Sequence, residues 1–255
     1  MTNVDVETLR DKVKAMYRAV ADDPHGTFHF EMGRRLAARL GYPESDLDRV
    51  PAEALESFAG VGYHLGIAEL AAGDRVVDLG SGSGFDAFVA AGRVGQRGEV
   101  VGVDMTEEQL GKARRLAARD GYERVRFEAG YIEIAPVADG WADVVISNGV
   151  INLCNDKAAV FREAARILRP GGRLAISDIV TEQPLTEAIV CDVNLWASCI
   201  GGAMQQDAYR QAIERAGLEV QLVQANPAYE FISESAQGAT DTFGVRSISL
   251  LAVKS

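Results

Sequence analysis

The stretch Arg75-Val76-Val77-Asp78-Leu79-Gly80-Ser81-Gly82-Ser83-Gly84-Phe85-Asp86 decides the reading of this chain. Residues 75–79 read as a short buried strand that ends in an acid, a leucine and then three alternating glycines. Glycines there let the backbone turn sharply and approach a ligand where a Cβ would collide. Asp86 to Val94 reads as a helix, so the loop opens onto free N–H groups and a positive dipole end. Glu99 to Asp104 is a second strand, and Asp104 at its end lies where an acid reaches a ribose diol.

Working outward, the same rhythm continues. Thr106 opens a helix with Gln109 three residues later, the spacing of a capping box, and Leu110, Ala113, Leu116 and Ala117 share one face. Val125–Phe127, Asp143–Ser147 and Leu174–Ser177 read as further strands, with a helix over Lys157–Leu168 closed by Arg169-Pro170-Gly171-Gly172. Strands alternating with helices of this length give parallel β-α units, and right-handed crossovers put the strand C-termini along one ligand-binding edge.

The flanks differ. Before about residue 70 the chain reads as helices (Val4–Val20, Glu31–Leu40) broken at Asp22–Gly26 and Gly41-Tyr42-Pro43. After Gln206–Ala216, a helix, two closing strands are expected at Val220–Val223 and Ser247–Val253, with Pro227–Arg246 as a surface loop or lid. The organisation read from this is a helical cap over 1–70 and a ligand-binding domain over 71–255, carrying inserted helices at 184–217.

Composition narrows the partners. Lys+Arg 26 against Asp+Glu 37 gives a net charge of −11, which disfavours nucleic acid and anionic membrane surfaces. No apolar run is long enough for a span, and the N-terminus lacks a signal-peptide core. Cys154, Cys191 and Cys199 are odd in number with no CxxC pair, and the three histidines form no metal motif, so reduced thiols in a cytoplasm and no bound metal are expected.

Gly82–Ala87 also satisfies the G-x-G-x-x-A form of a dinucleotide site. Asp78 speaks against a nicotinamide oxidoreductase, because a carboxylate before the loop repels a pyrophosphate and attracts an ammonium.

VVDLGSGSGFD, VVGVDMT, ISNGVINL and LRPGGRLAISD, spread over about 75–180, resemble the motif set of class I S-adenosylmethionine-dependent methyltransferases. FREAARILRPGG and NLWASCIGGAMQQDAYRQAIERAGLE further resemble the arsenite methyltransferase branch, over some two thirds of the chain. The resemblance implies a Rossmann-like α/β sheet of seven strands with S-adenosylmethionine as cofactor. Gly80, Ser81, Gly82 and Gly84 would wrap its methionine part with Asp78 on the amino-acid side. Asp104 would accept the ribose hydroxyls, and Met105 would pack on the adenine, whose edge Ile132 and Glu133 would face. Asn148 and Val150 would line the methionine and the methyl group, Tyr17 would cover the cofactor, and Gln109 joins the set.

In that branch arsenic(III) is held by soft thiolates. Cys199 stands at the thiol position of the later helical insert. Gly149 and Ile151 occupy places where the family carries cysteine, and Gly62-Tyr63-His64-Leu65 stands where a Cys-Gly pair is usual. Cys154 lies close to the missing middle thiol. Cys191 is eight residues, roughly 12 Å of helix, from Cys199. The expectation is therefore a small organic acceptor, in specialised metabolism, with methyl transfer or methyl-derived ring closure. Arsenite is the alternative, and a non-catalytic cofactor or metalloid sensor is the rival of another class. His29, Tyr63, His64 and Cys199 are the candidates for the acceptor chemistry.

Overall fold

The computed structural model describes residues 6–190, 196 and 200–255. Its sheet runs β3 (Val125–Ala129), β2 (Glu99–Asp104), β1 (Arg75–Leu79), β4 (Ala142–Asn148), β5 (Leu168–Thr181), β8 (Arg246–Lys254) and β7 (Leu218–Ala225). The first five are mutually parallel. β8 inserts antiparallel between β5 and β7. These are the seven expected strands, to which β6 (Met204–Gln205) adds two residues beside β5.

Successive side chains of a strand face opposite sides of the sheet, so the valine pairs of the parallel strands sort into two cores. Val76, Val100 and Val144 face one side, under α5 (Phe85–Val94) and α6 (Glu107–Arg119). Val77, Val101 and Val145 face the other, under α7 (Lys157–Ile167) and α9 (Gln206–Arg215). Each such fully buried aliphatic side chain contributes about 1.5–3 kcal/mol relative to exposure.

Of the N-terminal helices α1 (Val6–Asp22), α2 (Gly33–Leu40), α3 (Glu44–Leu47) and α4 (Ala52–Glu56), the last three join the first core through Leu36, Ala37, Leu47 and Leu55. The end of α2 sets the direction of the next side chain. Gly41 adopts φ +99°, the Tyr42 N–H bonds back to Ala37 O and the Gly41 N–H to Ala38 O, a Schellman stop. That stop turns Tyr42 inward, where only 3% of it stays exposed.

α1 belongs to a third core, where Leu9 and Val13 meet Leu153, Ile179, Trp196 and Ala239. After the short α8 (Glu187–Val190), residues 227–246 depart from expectation. They are not loop throughout, because Glu234–Phe243 forms α10. Its apolar stripe is thin, with Ala239 and Phe243 one turn apart beside Val245 and Gly238 interrupting the run, so the periodicity is faint in the sequence.

Candidate active site

Strand register sets the site. Asp78 lies opposite Gly102 on β2 and Ile146 on β4. Two residues further along, Asp104 and Asn148 emerge on the same face, so three polar side chains end three adjacent parallel strands. The glycine loop then crosses from β1 to β2: the Gly80 and Ser81 N–H groups donate to Val103 O at 2.8 and 3.0 Å. Gly80 adopts φ +81°, and a Cβ there would come within 2.5 Å of the Val150 methyls.

Asp104 organises the loop. Its Oδ2 accepts from the Gly82 N–H at 2.9 Å and its Oδ1 from the Thr106 N–H at 2.8 Å. Burial nonetheless outweighs these bonds and raises its carboxyl above the usual range. Thr106 does begin α6, but the capping box does not close. Gln109 turns away, donating from Nε2 to Tyr17 O at 2.8 Å and accepting from Ser83.

Asp78 is 2% exposed, and its Oδ2 has no hydrogen-bond partner. Burial first, then the charges of Asp86 and Asp104, hold its carboxyl well above the carboxylate range. Asp86, in the first turn of α5, accepts from Tyr42 OH at 2.5 Å and from Asn148 Nδ2 at 3.2 Å. Asn148 is fully engaged: Nδ2 also donates to Gly62 O at 3.0 Å, and Oδ1 accepts from the Val61 N–H at 2.8 Å. Burial and the neighbouring Asp86 push the Tyr42 phenol up, so it stays a donor.

These groups open into one cavity. α1 closes one side. Arg10 donates to Glu133 Oε1 at 3.1 Å and sits 4.4 Å from the Tyr131 ring centroid, while Lys14 donates to Tyr131 OH at 3.1 Å.

The cavity brings together Tyr17, Asp78, Gly80, Ser81, Gly82, Asp104, Met105, Gln109, Ile132, Glu133, Asn148 and Val150. Gly84 sits behind it instead, where a Cβ would meet the Phe127 ring at 2.6 Å, so its smallness serves helix–strand packing. Sequence reasoning misses Asp86, Arg10, Ser83 and Phe85, which also line the wall, and Tyr42 behind Asp86. In the sequence Asp86 reads as an ordinary first-turn acid and Tyr42 as part of a helix stop.

The acceptor candidates lie elsewhere. His29 packs edge-on to Phe30, which stacks on Tyr17. Tyr63 packs on Tyr42, and its OH accepts from Arg93 at 2.5 Å. His64 is completely buried with neither ring nitrogen bonded, and burial lowers its pKa. None of the three lines the cavity. Cys199, like Cys191, lies outside the described residues.

Cys154 does line the cavity, and burial pushes its thiol well above the ordinary value. Around the vanished thiol places there is little room. A Cβ on Gly62 would fall 2.2 Å from Asn226 Nδ2, and Gly149, at φ +71°, leaves only 3.1 Å to Val61 Cγ1. Ile151 is 1% exposed. Among the described residues there is no group of three His, Cys, Asp or Glu that could hold a metal ion, and no helix long and apolar enough to cross a membrane.

Known proteins are similar to this chain in sequence and fold. Residues 70–217 match the family model described as "Methyltransferase domain". The arsenite methyltransferase of Halobacterium salinarum is 43% identical over 197 residues, 77% of this chain and 50% of that one. Human arsenite methyltransferase is 41% identical over 138 residues, 51% of this chain and 37% of that one. The chain thus spans about half the length, or less, of these curated relatives. An arsenic(III) S-adenosylmethionine methyltransferase from Chlamydomonas reinhardtii superposes with a TM-score of 0.67 at 31% identity, covering 88% of this chain and 74% of its own.

Proposed function

The chain belongs to the methyltransferase-domain family, class I, in the arsenite methyltransferase-like branch, and from that premise we propose that it transfers a methyl group from S-adenosylmethionine to a small acceptor. One observation carries the cofactor: the buried, unpartnered Asp78 Oδ2 in a cavity that also holds Asp86, Asp104 and Glu133. Among the described residues on that wall the one cation, Arg10, is bonded to Glu133. Such a cavity suits a ligand that brings its own positive charge.

The residues fit S-adenosylmethionine part by part. Asp78 would accept from the ammonium, the 80–84 loop would let the methionine backbone approach, and Asp104 has lone pairs left for ribose hydroxyls. Met105 and Ile132 offer apolar surface for the adenine, and Tyr17 would cover it. When bound, the cofactor supplies an electrophilic methyl group on a sulfonium that departs as a neutral thioether. This chain's share is to orient donor and acceptor in line and to keep water out, which is most of what such a transfer needs.

For the acceptor, arsenic(III) is the reading that the named relatives support, with Cys154 on the cavity wall and Cys199 in the insert as its soft ligands. A small organic acceptor is the second reading. It is favoured by the shortage of thiolate: Cys154 is the single thiol described on the wall, and burial keeps it protonated.

The test is turnover with arsenite, glutathione and methyl-labelled S-adenosylmethionine, beside a sample without arsenite and with cofactor binding measured on the same preparation. Arsenite-dependent methylated arsenic establishes the first reading. Cofactor binding without it transfers the search to organic acceptors, and no cofactor binding removes the methyltransferase proposal.

A further inference from the structure

α1 closes one side of the cavity, and its polar ties to the rest of the chain differ in kind. Those from Arg10 to Glu133, from Lys14 to Tyr131 and from Arg18 to Glu108, the last at 2.5 Å, reach solvent, where water competes for each partner. Another is buried. Gln109, in the first turn of α6 and 2% exposed, donates from Nε2 to the Tyr17 carbonyl at 2.8 Å. The same Tyr17 lines the cavity and stacks on Phe30.

The other end of that amide meets the glycine loop. Its Oε1 accepts from the Ser83 hydroxyl, itself 5% exposed, one residue after the Gly82 N–H that Asp104 holds. A carbonyl can only accept, so Tyr17 O needs the amide nitrogen; turned over, Gln109 would set oxygen against oxygen. Ser83 opposes that turn by donating to Oε1. One amide thus joins the glycine loop, α6 and α1 away from water, where a broken hydrogen bond costs more than at the surface.

We propose that Gln109 is a positioning residue for cofactor exchange: set by Ser83, it latches Tyr17 and the C-terminal half of α1 over the cavity, so that the methyl donor enters and leaves only when this buried link opens. What passes through rests on the methyl-donor reading; the link itself does not. Rates separate this role from a ligand contact. A group that touches the cofactor slows its release and leaves entry alone. A latch slows both, so its loss speeds both by a similar factor and leaves the affinity nearly unchanged.

Stopped-flow fluorescence of the whole chain with S-adenosylmethionine, joined to amide hydrogen exchange of α1 in the absence of any cofactor, tests it. Gln109→Met keeps the side-chain length and loses both bonds. It should speed association and dissociation alike by about five- to tenfold, with less than about a threefold change in the dissociation constant. Exchange over residues 6–22 should rise by a similar factor while that of α7 stays as in wild type. Ser83→Ala, which frees the amide but leaves it in place, should show the same pattern more weakly. Faster dissociation at unchanged association in Gln109→Met overturns the proposal, because that marks a lost ligand contact. Unchanged exchange in α1, or exchange that rises equally in α7, overturns it as well. If Gln109→Met does not fold, the same readouts on Ser83→Ala decide. A wild type that binds no S-adenosylmethionine removes the methyl-donor reading, and the exchange measurement then decides on the latch by itself.

Discussion

The carboxylate of Asp104 accepts the backbone N–H of Gly82 at 2.9 Å, so the acid that closes β2 and the glycine loop that follows β1 form one hydrogen-bonded unit. Asp104→Ala should therefore act twice, removing the ribose acceptor and releasing the loop that shapes the methionine site. The expected loss in cofactor affinity is about 1–3 kcal/mol by calorimetry, with Asp104→Asn milder because one acceptor oxygen remains. An unchanged dissociation constant in the alanine variant defeats the ribose assignment.

Asp78 predicts opposite signs in two measurements. Its buried, partly unpartnered carboxylate burdens the empty fold and serves the ligand. Asp78→Asn should raise the urea midpoint of the ligand-free protein while weakening S-adenosylmethionine binding by about 1–3 kcal/mol. A variant destabilised and weakened together would mean that Asp78 is chiefly structural.

A pH effect arises away from the cavity. Asp178 in β5 is buried, and burial lifts its carboxyl to about 6 although the Tyr209 hydroxyl donates to it at 2.7 Å. The raised native value means that the folded state binds the proton more tightly than the unfolded chain does. The stability it contributes is fully present below about pH 4 and is lost as pH rises through about 6, a change of about 3 kcal/mol. Urea denaturation at a series of pH values should show this slope in wild type. In Asp178→Asn the same interval should be flatter by that amount.

Arg10 holds α1 to the loop that follows β3 through Glu133, with 37% of its side chain exposed. At that exposure the pair is worth about 0.2–1 kcal/mol. Arg10→Ala should leave the melting temperature nearly unchanged and speed cofactor dissociation by about two- to fivefold, as read by stopped-flow fluorescence. A dissociation rate equal to wild type would show that α1 does not control the exit.

Short valine-rich buried strands spaced by helices, the glycine loop and the acid one strand later carry the parallel sheet and most of the cavity wall, and they are legible in the chain because those features are local and recur along it. Three things are not. α10 carries an apolar stripe of little more than Ala239 and Phe243, too thin to stand out. Asp86 and Tyr42 are 44 residues apart, and only the turn at Gly41 brings hydroxyl to carboxylate. Gln109 stands at capping-box spacing, but the Thr106 N–H it would accept from is taken by Asp104, and its own amide serves Tyr17 O and the Ser83 hydroxyl. His29, Tyr63 and His64 stand out by residue type alone, which does not tell a cavity wall from a packed interior.

The orphan oxygen of Asp78 also bears on how ligand capture couples to the solvent. A carboxyl held so far up keeps its proton into higher pH, whereas an arriving cation favours the ionised form. Capture of the methyl donor would then expel a proton into the medium. The heat of binding would depend on which buffer takes it up, and the apparent affinity would climb as the solution is made more alkaline.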